Sequence, residues 1–484
     1  MLHVAQRDAV VVEILAEGSK QRGDGVAGVD KHGRDHFVVV QAHNLGGAAA
    51  HIDAYDKSHK TNVCVIGQPK KEAAAAATPP FFFNGVKLLH NILLYKINVN
   101  FALDKCTIAI LEITIVIVSY QAKYFLEQTL RSAIEAVEGL DCEIIVVDNN
   151  SGDGTAAWVR ERFGQQVRLI ENKHNVGFGR ANNQAIAQAR GRYTLILNPD
   201  TIVTRSCLQS CCQWMASHPE CGAIGVHMID GDGHFLPESK RAFPTPWVSF
   251  CKIFGLSRLF PRSRWLAKYH LRYLDEREPH AVDILSGAFM FCRTSLLQQV
   301  GGFDEDFFMY GEDIDLSYRL VKAGYQNWYV PASIVHYKGE STRKESMRYV
   351  KVFYEAMLIF YRKHFPRYRA VFYPVIKLGV WMRQSLAMAR RALGVPASGS
   401  KPQASPGQWV VLSRHAQEVA RQCHIERYST CIPASGETQV IVDDGSYSYG
   451  HIVQLIDSKA RRGLHWHIYS SRNGIVISPK MQQP

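Results

Sequence analysis

Strand-like and helix-like segments alternate along the chain from residue 113. Ile113 to Tyr120 reads ITIVIVSY, a β-branched run typical of a buried strand, and Phe125 to Val137 has the apolar spacing of a helix. Glu143 to Thr155 is a second apolar strand that ends in a polar, glycine-rich turn. The alternation continues through AAWVRERF, VRLIEN, GRANNQAIAQAR and YTLILNPD. This pattern predicts an α/β fold with a mostly parallel central sheet and helices on both faces.

Polar residues follow three of the predicted strands at the point where each strand ends. They are Ser119-Tyr120, Asp148-Asn149-Asn150 and Asn198-Pro199-Asp200. In a parallel sheet these ends share one edge, and ligands of α/β proteins bind in the crevice outside it. Proline is tolerated at such an end because the hydrogen-bond ladder stops there. All of these residues are also common turn formers, but their shared edge favours one binding crevice.

Composition narrows the class of protein only slightly. The chain has 484 residues, 46% of them hydrophobic and 21% charged, which suits two or three folded domains. A net charge of +12 favours an anionic partner, either nucleic acid, an anionic membrane or a phosphorylated small molecule. Eleven scattered cysteines suit a reducing compartment, and Cys207 and Cys211 lack the spacing of a zinc site.

No signal peptide opens the chain, and its most apolar run, Ile108 to Val118, is interrupted by Glu112 and too short to span a bilayer. We therefore expect a cytoplasmic protein, with peripheral attachment to the cytoplasmic face of the inner membrane as the alternative. The basic extension described below is the segment that raises this alternative.

Seven motifs occur in the order VSY, VVDNNSGDGT, NVGFGRANNQAI, LILNPD, LSGAFMFCR, GGFDEDFFMYGEDIDLSYRL and HYKG. Together they resemble the inverting family 2 glycosyltransferases of the GT-A fold, over Ile113 to Lys338. The NPD and NVGFGRANN forms are most similar to the branch that includes rhamnosyltransferases of polysaccharide assembly. The resemblance implies a crevice that holds a nucleotide-diphosphate sugar.

The resemblance also implies which residues line the donor side of this crevice. A carboxylate on a polar turn can accept charge-assisted hydrogen bonds from a base N–H or a ribose hydroxyl, although the same turn could simply cap the helix that follows. Arg180 is added because its charge suits a pyrophosphate. The predicted donor-binding residues are Ser119, Tyr120, Asp148, Asn150, Ser151, Asp153, Gly177, Phe178, Arg180, Asn182, Asn198 and Asp200.

The same resemblance implies a divalent cation, Mg²⁺ or Mn²⁺. Asp200 matches the last carboxylate of the family's DxD element, whose first acidic position is Asn198 here. A cation at this place bridges the two donor phosphates and offsets the charge of the departing nucleotide. Losing one carboxylate predicts weak binding until the pyrophosphate supplies further oxygens. His336 matches a position that can complete the contact, and a structural role for this histidine is the alternative.

For catalysis, the resemblance points to Asp313 in MYGEDIDLSYRL as the base that takes a proton from the acceptor hydroxyl. Glu312 is a like charge beside it, and Gly287 and Ala288 in LSGAFMFCR are expected on the acceptor side. The alternative is that the acidic residues only decorate the start of a helix. Asp304 is expected to be a turn residue.

The chain is accordingly divided into five parts. Residues 1–107 are unassigned, with a divergent domain, a poorly ordered leader or a start codon further along the chain as the alternatives, and 108–345 are expected to form the catalytic domain. Residues 346–393 form a basic amphipathic helical extension, which either lies on an anionic membrane or packs on the catalytic domain. A Pro/Gly/Ser linker, 394–408, precedes a small Rossmann-like α/β unit at 409–484, with a truncated unit as the alternative. This last unit resembles nucleotide-binding regions found beside some sugar transferases, but it lacks a G-x-G-x-x-G loop, so we assign it no activity.

The leading hypothesis is an inverting glycosyltransferase that moves a sugar, with rhamnose suggested by the family branch, to a glycan or lipid-linked glycan of the cell surface. A dinucleotide oxidoreductase and a nucleotidyltransferase are disfavoured because no glycine-rich loop follows the first strand. A non-catalytic regulatory protein that binds sugar nucleotides remains the alternative, given Asn198. Peripheral contact with an anionic membrane is a further expectation, and nucleic acid is not expected as a partner.

Overall fold

The structure is a computed structural model. It describes residues 111–337, 347–366, 407–461, 463–478 and 481–483, the positions 374 and 385, and the backbone of five strands before residue 67. Contacts divide the chain into two units, Met1–Lys105 and Cys106–Pro484. In the first unit the strands lie in the order β1-β2-β3-β5-β4. Their bounds are β1 Leu2–Ala5, β2 Ala9–Glu13, β3 His36–Gln41, β4 Ala50–Tyr55 and β5 Lys60–Ile66.

The second unit is built on a nine-stranded sheet in the order β10-β14-β11-β13-β9-β6-β7-β8, with β12 paired to β14. Its strands are β6 Ile113–Ser119, β7 Cys142–Asp148, β8 Arg168–Glu171, β9 Tyr193–Leu197, β10 Thr201–Ile202, β11 Cys221–Ile229, β12 His280–Val282, β13 Phe289–Arg293 and β14 Gln326–His336. The helices of this part are α1 Lys123–Val137, α2 Thr155–Phe163, α3 Phe178–Ile186, α4 Arg205–Ser217, α5 Pro246–Ile253, α6 Leu256–Leu259, α7 Thr294–Gln299 and α8 Glu312–Lys322.

The predicted mixed α/β fold with a large central sheet is confirmed. Strands β6 to β9 are parallel neighbours, as their alternation with helices predicted. The structure adds that β13 runs antiparallel between β9 and β11. Every residue of β6 and β9 is buried, because helices cover both faces of the sheet there. The carboxyl ends of these strands therefore form a rigid platform for the polar residues that follow them.

The turn at Asn198-Pro199-Asp200 is held by a buried threonine of α1. The Thr129 hydroxyl donates toward the carbonyl oxygens of Pro199 and Thr201, each 2.8 Å away, and accepts from the Thr201 N–H at 3.1 Å. Proline has no N–H to donate, and the Thr129 hydroxyl supplies a donor for the carbonyls on either side of Asp200. Thr129 thus fixes the direction in which the chain presents Asp200.

The C-terminal part forms a six-stranded sheet in the order β16-β15-β17-β18-β19-β20. The first four of these strands in the row are parallel. Strand β15 begins at Gln408, the last residue of the predicted linker, whose residues 394–406 lie outside the described part. The elements are β15 Gln408–Leu412, α10 Ala416–Gln422, β16 Tyr428–Ser429, β17 Thr438–Asp443, α11 Tyr449–Lys459, β18 Leu464–Ser470, β19 Ile475–Ser478 and β20 Met481–Gln483.

This C-terminal sheet packs directly against the catalytic sheet. One apolar cluster joins Ile202 and Val335, on the edge strands β10 and β14, to Ile452 and Trp466 of the C-terminal part. Around it, the Asp457 carboxylate accepts hydrogen bonds from Ser333 and Arg277 at 2.7 and 3.1 Å. Because Val335 neighbours His336, the C-terminal part supports the strand that carries a predicted metal ligand. A chain truncated before residue 407 would expose this face to water.

Helix α9, Met347–His364, is the described start of the predicted basic extension. Its residues Ala356, Phe360 and Tyr361 are buried with Ile284 and Ile314 in a cluster beside the catalytic domain. Residues 367–393, which carry most of the basic side chains of that extension, lie outside the described part apart from two isolated positions. Among the helices that the structure describes, none has the length and apolar content needed to cross a bilayer.

Candidate active site

The strand ends of β6 and β7 meet as predicted. Asp148, the last residue of β7, is buried and accepts hydrogen bonds from the Ser151 hydroxyl at 2.5 Å and its N–H at 3.3 Å. The Ser151 hydroxyl also accepts from the Gln121 N–H at 3.0 Å, which ties this loop to the end of β6. Ser119 lies at that end, and its buried hydroxyl has no hydrogen-bond partner in the described part of the chain. Tyr120 is half-buried beside it.

Asn149 joins this corner to the glycine loop. Its side-chain oxygen accepts from the Val176 N–H at 3.0 Å and from Asn172 at 3.1 Å, while its amide nitrogen donates to Asn175 at 2.9 Å. The sequence analysis passed over Asn149 and selected Asn150, which is exposed and has a positive φ of 64°. Because Asn149 and Asn150 are consecutive and identical, the sequence does not indicate which of the two side chains is buried.

Gly177 and Phe178 bring the donor side close to the acceptor side. Gly177 has φ +90°, and a Cβ there would lie 2.7 Å from the carbonyl oxygen of Phe308, so this position requires glycine. The Phe178 ring lies 3.6 Å from the place that a Cβ on Gly287 would occupy. Asn182 is fully buried and donates to the Phe178 carbonyl at 2.9 Å. It therefore braces the loop from within helix α3.

At the end of β9, Asp200 and His336 come together as the metal prediction requires. Asp200 Oδ1 lies 3.3 Å from His336 Nε2, and both side chains are more than nine-tenths buried. The Asn198 amide lies 3.5 Å from the same nitrogen, and its oxygen can take this place after rotation of the amide. One carboxylate, one imidazole and one amide fit a divalent cation that takes its other ligands from a pyrophosphate. No group of three or more His, Cys, Asp or Glu side chains suited to a metal occurs among the described residues.

A short loop connects this edge to the predicted base. The Asn198 N–H donates to the Ala288 carbonyl at 3.0 Å, and the Gly287 N–H points to Asp313 Oδ2 at 3.4 Å. Asn198, Gly287, Ala288 and Asp313 are thus neighbours, although 115 positions separate Asn198 from Asp313 along the chain. The residues predicted for the metal and those predicted for the acceptor therefore lie next to each other.

Asp313 is held by an arginine that the sequence analysis did not select. Arg241 is buried, and its guanidinium donates to Asp313 Oδ2 at 2.5 Å and to the Leu285 carbonyl at 2.6 Å. Burial alone would lower the pKa of Arg241, but the Asp313 carboxylate raises it, so the guanidinium stays charged. Asp313 Oδ1 accepts from the Ile314 N–H at 2.8 Å. These contacts fix the orientation of a carboxylate that is 16% exposed and so can still be reached from the crevice.

Glu312 is buried beside this base, and its surroundings favour the protonated form of its carboxyl. Burial first, and then the Asp313 carboxylate, raise the pKa of Glu312 from 4.5 to about 8. Its Oε2 is buried without a hydrogen-bond partner among the described residues. A pKa of about 8 keeps the Glu312 carboxyl mostly protonated at neutral pH.

The raised pKa of Glu312 predicts a pH-dependent stability. Between its ordinary pKa of 4.5 and its folded pKa of about 8, the folded chain binds more protons than the unfolded chain at this carboxyl. Stability from this group is therefore lost as pH rises through that window. As pH rises from 5 to 8, roughly the window in which the carboxyl titrates, the melting temperature of the parent chain should fall relative to that of the Glu312→Gln variant. Parallel melting curves across that range would contradict the assignment.

Three acidic residues and one arginine of the motifs make contacts with residues outside the proposed site. Asp153 accepts from the Thr155 N–H at 3.0 Å and caps α2, which is the alternative role named for this turn. Asp315 is buried between Arg319 and His364, at 2.6 and 2.5 Å, and Asp304 pairs with Lys363. Arg180 lies on the surface, 3.3 Å from Glu305. The donor-side roles of Asp153 and Arg180 gain no support from these contacts.

Comparison with known proteins identifies the family of this chain. Residues 114–301 match the family model described as glycosyl transferase family 2. The N-acetylglucosaminyl-diphospho-decaprenol L-rhamnosyltransferase of Mycobacterium tuberculosis is 31% identical over 258 residues, 51% of this chain and 82% of that protein. The rhamnosyltransferase WbbL of Escherichia coli is 30% identical over 217 residues, 41% of this chain and 77% of that protein.

The solved structures that are similar to this chain include the mannosyltransferase PcManGT from Pyrobaculum calidifontis in complex with GDP-Man and Mn²⁺. It is 19% identical, with a TM-score of 0.36, over 59% of this chain and 76% of that one. The assignment to a family rests instead on the two rhamnosyltransferases, of which this chain covers more than two thirds. Together with the motifs in their expected order, they confirm the predicted family, and the chain belongs to glycosyltransferase family 2.

Proposed function

We propose that this glycosyltransferase transfers rhamnose, with inversion, from a nucleotide-diphosphate donor to a lipid-linked glycan. The observation that carries the proposal is the single crevice in which Asp200 and His336 are joined to Asp313 through Asn198, Gly287 and Ala288. Rhamnose is supported by the names of both relatives, and a lipid-linked acceptor by the name of the Mycobacterium tuberculosis relative. We expect the protein to act at the cytoplasmic face of the inner membrane, in cell-surface polysaccharide synthesis.

In the proposed reaction, Asp313 accepts the proton of the acceptor hydroxyl while that oxygen forms a bond to the anomeric carbon. The bond from this carbon to the donor phosphate oxygen breaks, and the nucleoside diphosphate departs with the electron pair. Arg241 and the Gly287 N–H hold the Asp313 carboxylate in place for the proton transfer. Asp148 and Ser151 hold the nucleoside, and Gly177 allows the backbone of its loop to approach the donor.

Asp200 and His336 would hold Mg²⁺ or Mn²⁺, with Asn198 as a neutral third contact. Such a cation, when bound, neutralises the charge that develops on the departing diphosphate. Asn198 in place of a carboxylate reduces the negative charge of the site, so we expect cation binding to depend strongly on the nucleotide.

The proposal is tested by measuring donor consumption and transfer by the full chain across a panel of nucleotide sugars. The panel should include nucleoside-diphosphate derivatives of rhamnose, N-acetylglucosamine and mannose, each with Mn²⁺, with Mg²⁺ and with a chelator. The expected result is consumption of the rhamnose donor alone, only with a divalent cation, and a product of inverted anomeric configuration. Consumption of a different donor would overturn the sugar assignment, and retention of configuration would overturn the mechanism.

A further inference from the structure

The aromatic side chains of helix α5 are exposed to solvent, and its smaller side chains pack against the protein. Trp247, Phe250 and Phe254 follow one another at spacings of three and four residues, with ring centroids 5.8 and 4.5 Å apart along the stripe. Trp247 is 50% exposed and Phe250 is 36% exposed. On the opposite face the buried Ser249 hydroxyl contacts the hydroxyl of Tyr361 at 2.9 Å, on helix α9. A helix packed only for the core would have the reverse arrangement.

The loop that follows α5 continues this apolar surface. Leu259, Phe260 and Trp265 are 71%, 54% and 79% exposed. The Trp247 indole N–H donates to the Trp265 carbonyl at 3.2 Å, which holds the loop against the helix. Five of the nine large hydrophobic side chains that are exposed in the described part of the chain lie between positions 247 and 265. Single exposed apolar residues are ordinary, but a cluster of this kind marks an interaction surface.

Positive charge surrounds these apolar side chains. Residues 246–268 contain no aspartate or glutamate, and all of their lysines and arginines are exposed. Those cations are Lys252, Arg258, Arg262, Arg264 and Lys268. We call residues 246–268 the aromatic-basic patch. Its composition of tryptophan and phenylalanine interleaved with cations suits the headgroup region of an anionic bilayer, where aromatic rings sit at the interface and cations meet lipid phosphates.

The aromatic-basic patch adjoins the acceptor side of the crevice. Lys252 Nζ lies 3.3 Å above the ring of Tyr269, and the Tyr269 carbonyl accepts from the Ala242 N–H at 3.0 Å. Ala242 follows Arg241, the residue that holds Asp313. Few contacts therefore separate the patch from the proposed base. A lipid bilayer bound at the patch would therefore place its lipids close to the side from which an acceptor reaches Asp313.

We propose that the aromatic-basic patch docks the protein onto an anionic lipid bilayer and so presents lipid-linked acceptors to Asp313. The role in presenting acceptors rests on the proposed function, whereas the bilayer contact itself does not. The occupant is a membrane and not a second copy of the chain, because the patch carries cations without any carboxylate of its own to pair with them. This surface is distinct from the basic extension at 346–393, for which membrane contact was one of the two roles predicted from the sequence.

The test is co-sedimentation of the full chain with vesicles of phosphatidylcholine alone or mixed with phosphatidylglycerol. The parent chain should bind the anionic vesicles and bind the neutral ones at least about tenfold more weakly. Two double variants separate the contributions, Phe260→Ser with Trp265→Ser for the apolar contact and Arg258→Glu with Arg262→Glu for the charge. Each should weaken binding by roughly tenfold or more.

A matched control replaces an exposed arginine and aromatic residue elsewhere, Arg427→Glu with Tyr428→Ser in the C-terminal part, and should bind like the parent chain. Equal vesicle binding by the patch variants and the control would overturn the proposal. So would a parent chain that ignores anionic vesicles, or one that instead dimerises through the patch, as shown by loss of the dimer in the patch variants.

The same variants distinguish this proposal from the proposed function. Consumption of a nucleotide sugar in the absence of vesicles should be unchanged in both patch variants, because the substituted side chains do not contact the donor side. If the parent chain consumes the donor normally but does not bind vesicles, the docking proposal is wrong and the proposed function is unaffected. If the chain binds vesicles normally but consumes no nucleotide sugar, the proposed function is wrong and the docking proposal is unaffected.

Discussion

Replacing Asp313 with asparagine should slow sugar transfer by about 100- to 10,000-fold, the range typical for loss of a general base. Donor binding should be largely retained, because Asp313 contacts Gly287 and not Asp148, the residue proposed to hold the nucleoside. Asparagine keeps the shape of the side chain but cannot take the proton of the acceptor hydroxyl. Single-turnover transfer and equilibrium binding of a nucleoside diphosphate measure the two effects separately.

The matched control for this substitution is Asp306→Asn. Asp306 is 59% exposed and pairs with Lys363 on the same side of the domain, so its loss should leave turnover near that of the parent chain. Unchanged turnover in the Asp313 variant would show that the base is another group. A non-catalytic regulatory protein is excluded by an Asp313 variant that binds donor normally and no longer transfers sugar.

Replacing Asp200 with asparagine should remove cation-dependent turnover. We expect a loss of at least roughly 100-fold, since stabilising the departing diphosphate is worth several kcal/mol. Asp200 and His336 are the pair that fits the cation, so Mn²⁺ binding in the presence of a nucleoside diphosphate should weaken together with turnover. Calorimetric titration of Mn²⁺ into the protein with and without the nucleotide measures this directly.

Because Asp200 is buried, its variant needs a check on folding. An unchanged melting temperature, with Asp141→Asn as an exposed control, would show that the loss lies in the site. Full turnover in the presence of a chelator, or Mn²⁺ binding that is the same in the parent and the Asp200 variant, would contradict the metal assignment. The base assignment would be unaffected by either result.

The sequence predicted the elements whose pattern is local. Strands β6, β7 and β9 are largely continuous apolar runs, and such a run is by itself enough to predict a buried strand. The same runs end in the polar residues of the crevice, so Asp148, Asn198 and Asp200 could be selected from their position alone. The antiparallel direction of β13 could not be predicted, since the apolar run from Phe289 to Cys292 reads the same in both directions.

The residues that sequence analysis missed act across long separations. Arg241 holds Asp313 from 72 positions away, and Thr129 holds the Thr201 carbonyl across the same number. Asn183 fixes the backbone of Phe303 from 120 positions away. Nothing in the local pattern around such residues differs from an ordinary polar site on a helix or loop. Their roles become visible only when the fold brings their partners next to them.

The packing of the C-terminal sheet on the catalytic sheet was hidden for a related reason. A proline-rich linker suggested a separate unit, and the apolar faces of Ile202 and Val335 look like ordinary core positions in the sequence. The contact matters for the site because β14 carries His336 between Val335 and Tyr337, which both belong to the shared cluster. The C-terminal part is therefore structurally continuous with the catalytic part.

The central claim is that one crevice, at the carboxyl ends of β6, β7 and β9, holds the donor. The most direct measurement is a crystal structure of the full chain with a nucleoside diphosphate and Mn²⁺. The account predicts the nucleoside beside Asp148 and Ser151 and the cation bound by Asp200 and His336. A nucleotide bound instead at the strand ends of the C-terminal sheet, beside Ser413 and Asp443, would contradict it.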